Sequence, residues 1–288
     1  MSVSGTEKNF PFLRRFIFHG NAVAAGVVLT KVGETPQDRP SPIHGQSSLP
    51  VIGGHSESFA PGSDPSFSEF FSYGECRTQA DGVVNERGTV TTVSASVKKI
   101  RMINRPSPDE APDPHPIEFV AGALSLRLRS THGLEGQPSI EFVERPKFEG
   151  MSLDGRPIEV ELRPQFLELT RMEDLEDRFR KDQAFFSDCR LWFMRSPRQR
   201  PPSFGKGIPR VNGYAVSSIV RGIRWGDKVI EGHVLRLKGF GSIYFGEVLM
   251  NEYNRRLTLV RVQMGSEVEL RAAFAEGDPN GTWWPPQN

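Results

Sequence analysis

The 288-residue chain is short of cysteine, of long apolar runs and of any excess of one charge. Cys76 and Cys189 are its two cysteines, so at most one intramolecular disulfide can form and a disulfide-stapled framework is excluded. Neither sits in the paired CxxC spacing of a structural zinc site. Reduced thiols in a cytoplasmic protein are therefore the expectation. No stretch approaches the roughly 20 consecutive apolar residues that a membrane-spanning helix requires. The early Lys8, Arg14 and Arg15 are likewise not followed by an apolar segment with a small-residue cleavage pattern. Lys and Arg number 36 against 35 Asp and Glu, a formal charge of +1. Such balance argues against the one-signed field of a nucleic-acid or membrane-surface binder.

Turn-forming residues, in contrast, are abundant. The 28 glycines and 23 prolines exceed average usage of about 7% and 5%, so periodic segments are interrupted often and a protein of long helices is excluded. Hydrophobic residues make up 37% of the chain, enough for a sizeable core and too many for wholesale disorder.

The order of elements follows from periodicity. Phe12 to Phe18 and Ala22 to Thr30 read as two strands around a His19-Gly20-Asn21 turn, a hairpin pattern. From Gly33 to Ser68 six prolines oppose regular structure, and a loop, arm or linker is expected with a short strand around Leu49 to Ile52. Gly88 to Met102 is rich in Thr and Val and predicts a strand. The proline-rich run from Arg105 to Pro116 marks a surface connection or the link between two lobes. Beyond it Leu124, Leu126 and Leu128 alternate with Ser125, Arg127 and Arg129, which places leucines on one face of a strand. Ile140 to Glu144 and Ile158 to Leu162 repeat the arrangement, with Asp154 and Gly155 supplying a turn of positive φ. One helix is predicted from Thr170 to about Phe186, with Thr170 and Glu173 as a capping box. It carries Asp174–Arg178, Glu176–Arg180 and Asp177–Lys181 four residues apart. Short apolar runs then return: Tyr214 to Val220, Val234 to Lys238, Ile243 to Met250, Leu257 to Val262 and Val268 to Phe274.

The chemistry-bearing residues form no complete reactive set. Walker A, GxGxxG, helical HExxH and nucleophile-elbow patterns are missing. His44, His55 and Glu57 make the most economical metal proposal, because HxE spacing puts His55 and Glu57 on one face of an extended segment and His44 needs only to fold back toward them. A polar loop explains the same residues without a metal. Glu75 beside Cys76 opposes thiolate formation. Glu141 with Glu144, and Glu159 with Glu161, have the alternation of solvated strand faces rather than a need for perturbed carboxyls. Arg195 to Arg210 offers arginines to a phosphate but equally describes an exposed loop. Tyr244 lies on the opposite strand face from Ile243 and Phe245, where it lines a ligand cavity or covers an outer surface.

These patterns predict a mainly β protein, an antiparallel sandwich or irregular barrel with one substantial helix. Residues 1–288 form either one β-rich domain or two tightly packed β-rich lobes joined near 105–116. The functional expectation is a structural or binding protein that self-assembles as a homo-oligomer or meets a protein partner through its β surfaces, with a small-molecule ligand as a further option. The alternative is a small-molecule hydrolase with an internal cavity and a divalent metal at His44, His55 and Glu57.

Overall fold

The computed structural model describes residues 15–32, 35–40, 43–62, 69–86, 88–105, 115–133, 138–187, 203–208, 210, 213–265 and 268–284. Strands take up 68% of them. First come β1 (Arg15–Phe18), β2 (Asn21–Val32), β3 (Thr35–Pro40), β4 (His44–Ser48), β5 (Gly54–Ala60), β6 (Phe71–Ser72), β7 (Cys76–Asn85), β8 (Gly88–Asn104), β9 (Ile117–His132) and β10 (Ser139–Glu149). Next, β11 (Met151–Leu153) and β12 (Arg156–Leu162) precede the helices α1 (Pro164–Leu167) and α2 (Met172–Lys181). The remaining strands are β13 (Ala215–Ser218), β14 (Val220–Trp225), β15 (Lys228–Glu231), β16 (Val234–Leu237), β17 (Gly241–Met250), β18 (Arg255–Met264), β19 (Val268–Asp278) and β20 (Gly281–Trp284).

The strands form three antiparallel sheets. The largest has ten strands in the order β15-β14-β12-β11-β9-β8-β7-β5, with β10 also on β9 and β6 also on β8. An eight-stranded sheet runs β13-β17-β18-β19-β2-β3, with β16 on β17 and β4 on β2, while β1 and β20 make a separate ribbon. Neither large sheet closes on itself, so the sandwich is adopted and the irregular barrel is not. One apolar cluster fills the space between the sheets: Val93, Ala95, Val97, Leu124, Leu126 and Leu128 from one side meet Ala24, Val27, Val260, Val262 and Phe274 from the other. Each buried leucine contributes on the order of 2 kcal/mol of transfer free energy. Alternation along β8 and β9 therefore decides which face is core.

The two long strands bend together. Val97 and Ile100 are both fully buried although three residues apart, and so are Leu124 and Ala121 opposite them. Lys99 takes φ +53°, and Lys98 pairs with Ala123 while Ile100 pairs with Ala121, so one extra residue on each strand shifts both faces without losing register. The fold line continues to Gly122 and Gly150, where N–H of Gly122 donates to the Gly150 carbonyl at 3.2 Å. Gly150 has φ +59° and its missing Cβ leaves room for Gly122 at 3.4 Å.

Several sequence expectations need correction. The first two strands do not form a hairpin: β1 pairs with β20, and β2 lies between β19 and β4. The interval from Gly33 to Ser68 contains β3, β4 and β5. Proline is tolerated in β3 because that strand is the last of its sheet, where an amide donor can be lost. Leu49 to Ile52 is a turn after β4 rather than a strand. The substantial helix is α2, buried along Met172, Leu175 and Phe179 with Phe186 edge-on to Phe179 at 5.0 Å. Its N-cap is Arg171, not Thr170, and has no side-chain cap; the Thr170 carbonyl accepts the Ile140 amide at 2.8 Å and ties the helix start to β10. Two of the three acid–base pairs form, Glu176–Arg180 and Asp177–Lys181, whereas Arg178 turns to Asp182 at 3.9 Å.

The Asp154-Gly155 turn has positive φ at both residues, 52° and 69°, and joins β11 to β12 by a two-residue hairpin. Asn104 pairs with Ile117, so the ends of the proline-rich connection belong to neighbouring strands; residues 106–114 lie outside the described set, as do Cys189 and most of the arginine-rich interval. No helix among the described residues is long and apolar enough to cross a membrane.

Candidate functional site

The outward face of the ten-stranded sheet carries a groove of about 650 Å³, lined in part by Glu57, Phe59, Arg77, Ser94, Ser96 and Arg127. Its shape follows from side-chain length across the strands. One row runs Glu57, Gln79, Ser94, Arg127 and Glu144 from β5 to β10, and the next runs Phe59, Arg77, Ser96, Ser125 and Lys147. Short hydroxyl side chains occupy the middle of each row and long side chains the flanks. Because neighbouring strands lie about 4.8 Å apart, the serines form a floor and the outer residues form walls. On β10 the register shifts between Phe142 and Glu144 and between Glu144 and Lys147. Those bulges turn Glu144 and Arg145 into the groove.

Ser94, Ser96 and Ser125 are half-buried, and none of their hydroxyls is engaged by another described residue. Ser96 faces Ser125 directly across the β8–β9 ladder. The wall charges, by contrast, are mostly paired. Arg127 donates to Glu144 at 3.3 Å, and Arg77 donates through Nε to Glu75 at 2.5 Å. The Arg77 guanidinium also lies 5.1 Å from the centre of the Phe59 ring, which is 59% exposed. Hydrogen bonding to Arg77 holds the Glu75 carboxyl below its ordinary value against the opposing effect of desolvation. Arg145 and Lys147, both on β10, carry the wall charges without a partner among the described residues.

At one end of the groove, His55, Asp81 and Thr92 occupy the row beyond Glu57. His55 Nδ1 and Asp81 Oδ1 are 2.6 Å apart, Gln79 Nε2 donates to Asp81 Oδ2 at 2.7 Å, and His55 Nε2 lies 3.7 Å from Glu57 Oε2. The Asp81 hydrogen bond, first among the causes, raises the imidazole pKa above 6.5. HxE spacing thus does place His55 and Glu57 on one face. His44 is elsewhere: it sits on β4 of the other sheet, its ring 5.2 Å from that of Tyr73. The described residues hold no group of three or more His, Cys, Asp and Glu side chains with metal-binding geometry. Asp81 completes the His55 cluster in place of His44, a partner that only strand pairing reveals.

Tyr244 faces outward from the eight-stranded sheet. The Arg261 guanidinium covers its ring at 3.7 Å and its hydroxyl donates to Gln263 at 3.1 Å. Arg261 is held in turn by Glu247 through two bonds of 2.5 and 2.8 Å. Arg261 and Gln263 border a second depression of about 440 Å³, floored by Gly26 and Ala273 with Val23 and Val28 beside them. Cys76 is fully buried; burial first, then the Glu75 charge, pushes its thiol up to about 12, which removes it as a nucleophile. The paired acids are neutralised across their ladders: Glu141 by Arg129, Glu159 by Arg224 and Glu161 by Arg221.

The groove is the feature that sequence reasoning missed. Its signal was present in the alternation of Thr92, Ser94 and Ser96 on β8, which reads as an ordinary polar face until Ser125 is found opposite. A family model described as a domain of unknown function (DUF8256) matches residues 16–201, which include every groove residue named above. No curated protein and no solved structure matches the chain.

Proposed function

The chain belongs to the DUF8256 family, and we propose that it is a binding protein whose working surface is the groove on the outer face of the ten-stranded sheet. The observation that carries this reading is the floor of three unengaged hydroxyls, Ser94, Ser96 and Ser125, set between walls of paired guanidinium and carboxylate groups. Polar groups with spare hydrogen-bonding capacity, fixed on the central strands of a large sheet, are preorganised for a ligand. Volume agrees, since ligand clefts span about 300–1,000 Å³.

The His55–Asp81 pair resembles the base and orienting acid of a hydrolytic site, which favours the enzyme alternative as second reading. Its Nε2 faces the Glu57 carboxylate rather than a hydroxyl. A carboxylate there stabilises imidazolium and supplies no nucleophile of the Ser or Cys type, so the arrangement serves a polar wall better than acyl transfer. For a divalent ion, His55 Nδ1 and Asp81 are already bonded to each other, which leaves His55 Nε2 and Glu57, and two ligands alone hold such an ion weakly.

Nuclear magnetic resonance titration with three separate probes, maltotriose, triglycine and inorganic phosphate, tests the proposal. At least one should shift the amide signals of residues 94–96 and 125–127, and Ser96→Trp should abolish the shift. If all three probes leave those signals unmoved at millimolar concentration, the groove is not a binding site.

A further inference from the structure

Resting on the groove as the binding surface, we infer that its ligand is a neutral saccharide lying across the serine floor with one ring against Phe59. Three observations converge. First, the floor hydroxyls are distributed as a saccharide presents its own. Ser96 and Ser125 oppose each other in an antiparallel pair, about 5 Å apart, and Ser94 lies about 7 Å along the strand on the same face. Each serine hydroxyl both donates and accepts, as each sugar hydroxyl does. The walls add donors from Arg77, Arg127 and Gln79 and acceptors from Glu57 and Glu144. A polyol satisfies such a mixed set; a ligand with acceptors only does not.

Second, most of the charge is paired. Arg77 is bonded to Glu75 and Arg127 to Glu144, so neither guanidinium is free to neutralise a phosphate or carboxylate without losing its partner. Arg145 and Lys147, both on β10, are the remaining cations, and Glu57 has His55 beside it. An anionic polymer requires a run of unpaired positive charge along its path, whereas here the two unpaired cations sit on β10 alone and the rest of the lining is paired or neutral.

Third, Phe59 supplies the apolar element. Its ring is 59% exposed at the groove edge and is steadied by the Arg77 guanidinium at 5.1 Å. The C–H face of a sugar ring is the natural counterpart of such a ring, since it is the apolar side of an otherwise polar ligand. A peptide is a poorer fit. The floor strands β8 and β9 are each paired on both sides, so a peptide could add as a strand only along the outer edges of β5 and β10, away from the serine floor.

The test combines an array of neutral and acidic oligosaccharides of two to six units with calorimetry on the full chain. Neutral saccharides should bind with the acidic ones no tighter. Ser96→Trp should reduce affinity at least about tenfold and Phe59→Ala about three- to tenfold, the loss of a stacking contact or hydrogen bonds worth about 1 kcal/mol each. Arg271→Ala, on the opposite sheet, should leave affinity unchanged, and unchanged thermal melting of all three variants confirms their fold. Phosphate or triglycine in the groove with no saccharide binding overturns the ligand class while the groove survives as a site. Saccharide binding that is insensitive to Ser96→Trp overturns the placement, and failure of every probe in the groove overturns both readings.

Discussion

His132 provides a prediction whose size follows from its surroundings. The imidazole is 5% exposed beneath the β1–β20 ribbon, with the Phe16 ring tilted against it at 4.9 Å and Ser130 Oγ 3.0 Å from Nε2. Burial lowers its pKa from 6.5 to about 4. In the unfolded chain the ring protonates near 6.5, so below that pH the unfolded state binds a proton that the folded state refuses. The stability conferred by the neutral ring is therefore complete above pH 6.5 and lost as pH falls toward 4. The shift from 6.5 to about 4 limits the loss to about 3 kcal/mol, of which about 2 kcal/mol falls between pH 7 and 5. His55 acts in the opposite sense across the same window, because its pKa is raised and its ion pairing gains strength as pH falls. Comparison with His132→Gln, rather than the absolute slope, isolates the effect. Urea unfolding followed by circular dichroism should show the wild type losing about 2 kcal/mol more than the variant between pH 7 and 5. Equal losses in both proteins, or a His132 ring signal that titrates near 6.5 in the folded state, would refute the reasoning.

Three further outcomes are expected. Asn104 is fully buried and its Nδ2 donates to the carbonyls of Gly239, Phe240 and Gly265, pinning the end of β8 to two turns of the opposite sheet. Asn104→Ala should cost about 2–3 kcal/mol in urea unfolding, because it leaves buried carbonyls unsatisfied; a cost below about 0.5 kcal/mol contradicts the role. Asp81→Asn should bring the His55 pKa down, read from its ring proton shift, since the Asp81 hydrogen bond is the largest cause of the elevation; an unchanged midpoint removes that cause. Peptide mapping after maleimide treatment should find Cys76 unmodified in the folded protein and modified in urea, as a buried thiol near 12 requires.

How far the sequence foretells this molecule depends on the range of the interaction involved. Alternation of Leu124, Leu126 and Leu128 announced β9, and the Thr-Val run announced β8, because facing is a local property with a period of two. Pairing partners were another matter. Phe16 and Trp283 meet across the β1–β20 ribbon although nearly the whole chain separates them, and no local pattern encodes that contact. The edge strands β3 and β4 were hidden by prolines and glycines that an end position tolerates. The fold line at Lys99 broke the alternation where both long strands gain a residue together. At the site, HxE spacing correctly set His55 beside Glu57, yet strand register brought Asp81 and not His44. The serine floor required two strands to be aligned before its hydroxyls could be seen as one surface.

A crystal structure of the full chain soaked with maltotriose tests the central claim most directly. The account predicts difference density for the saccharide over Ser94, Ser96 and Ser125 with a sugar ring facing Phe59. Density confined to the apolar depression beside Arg261 and Arg271 on the other sheet, with the serine floor bare, would contradict it.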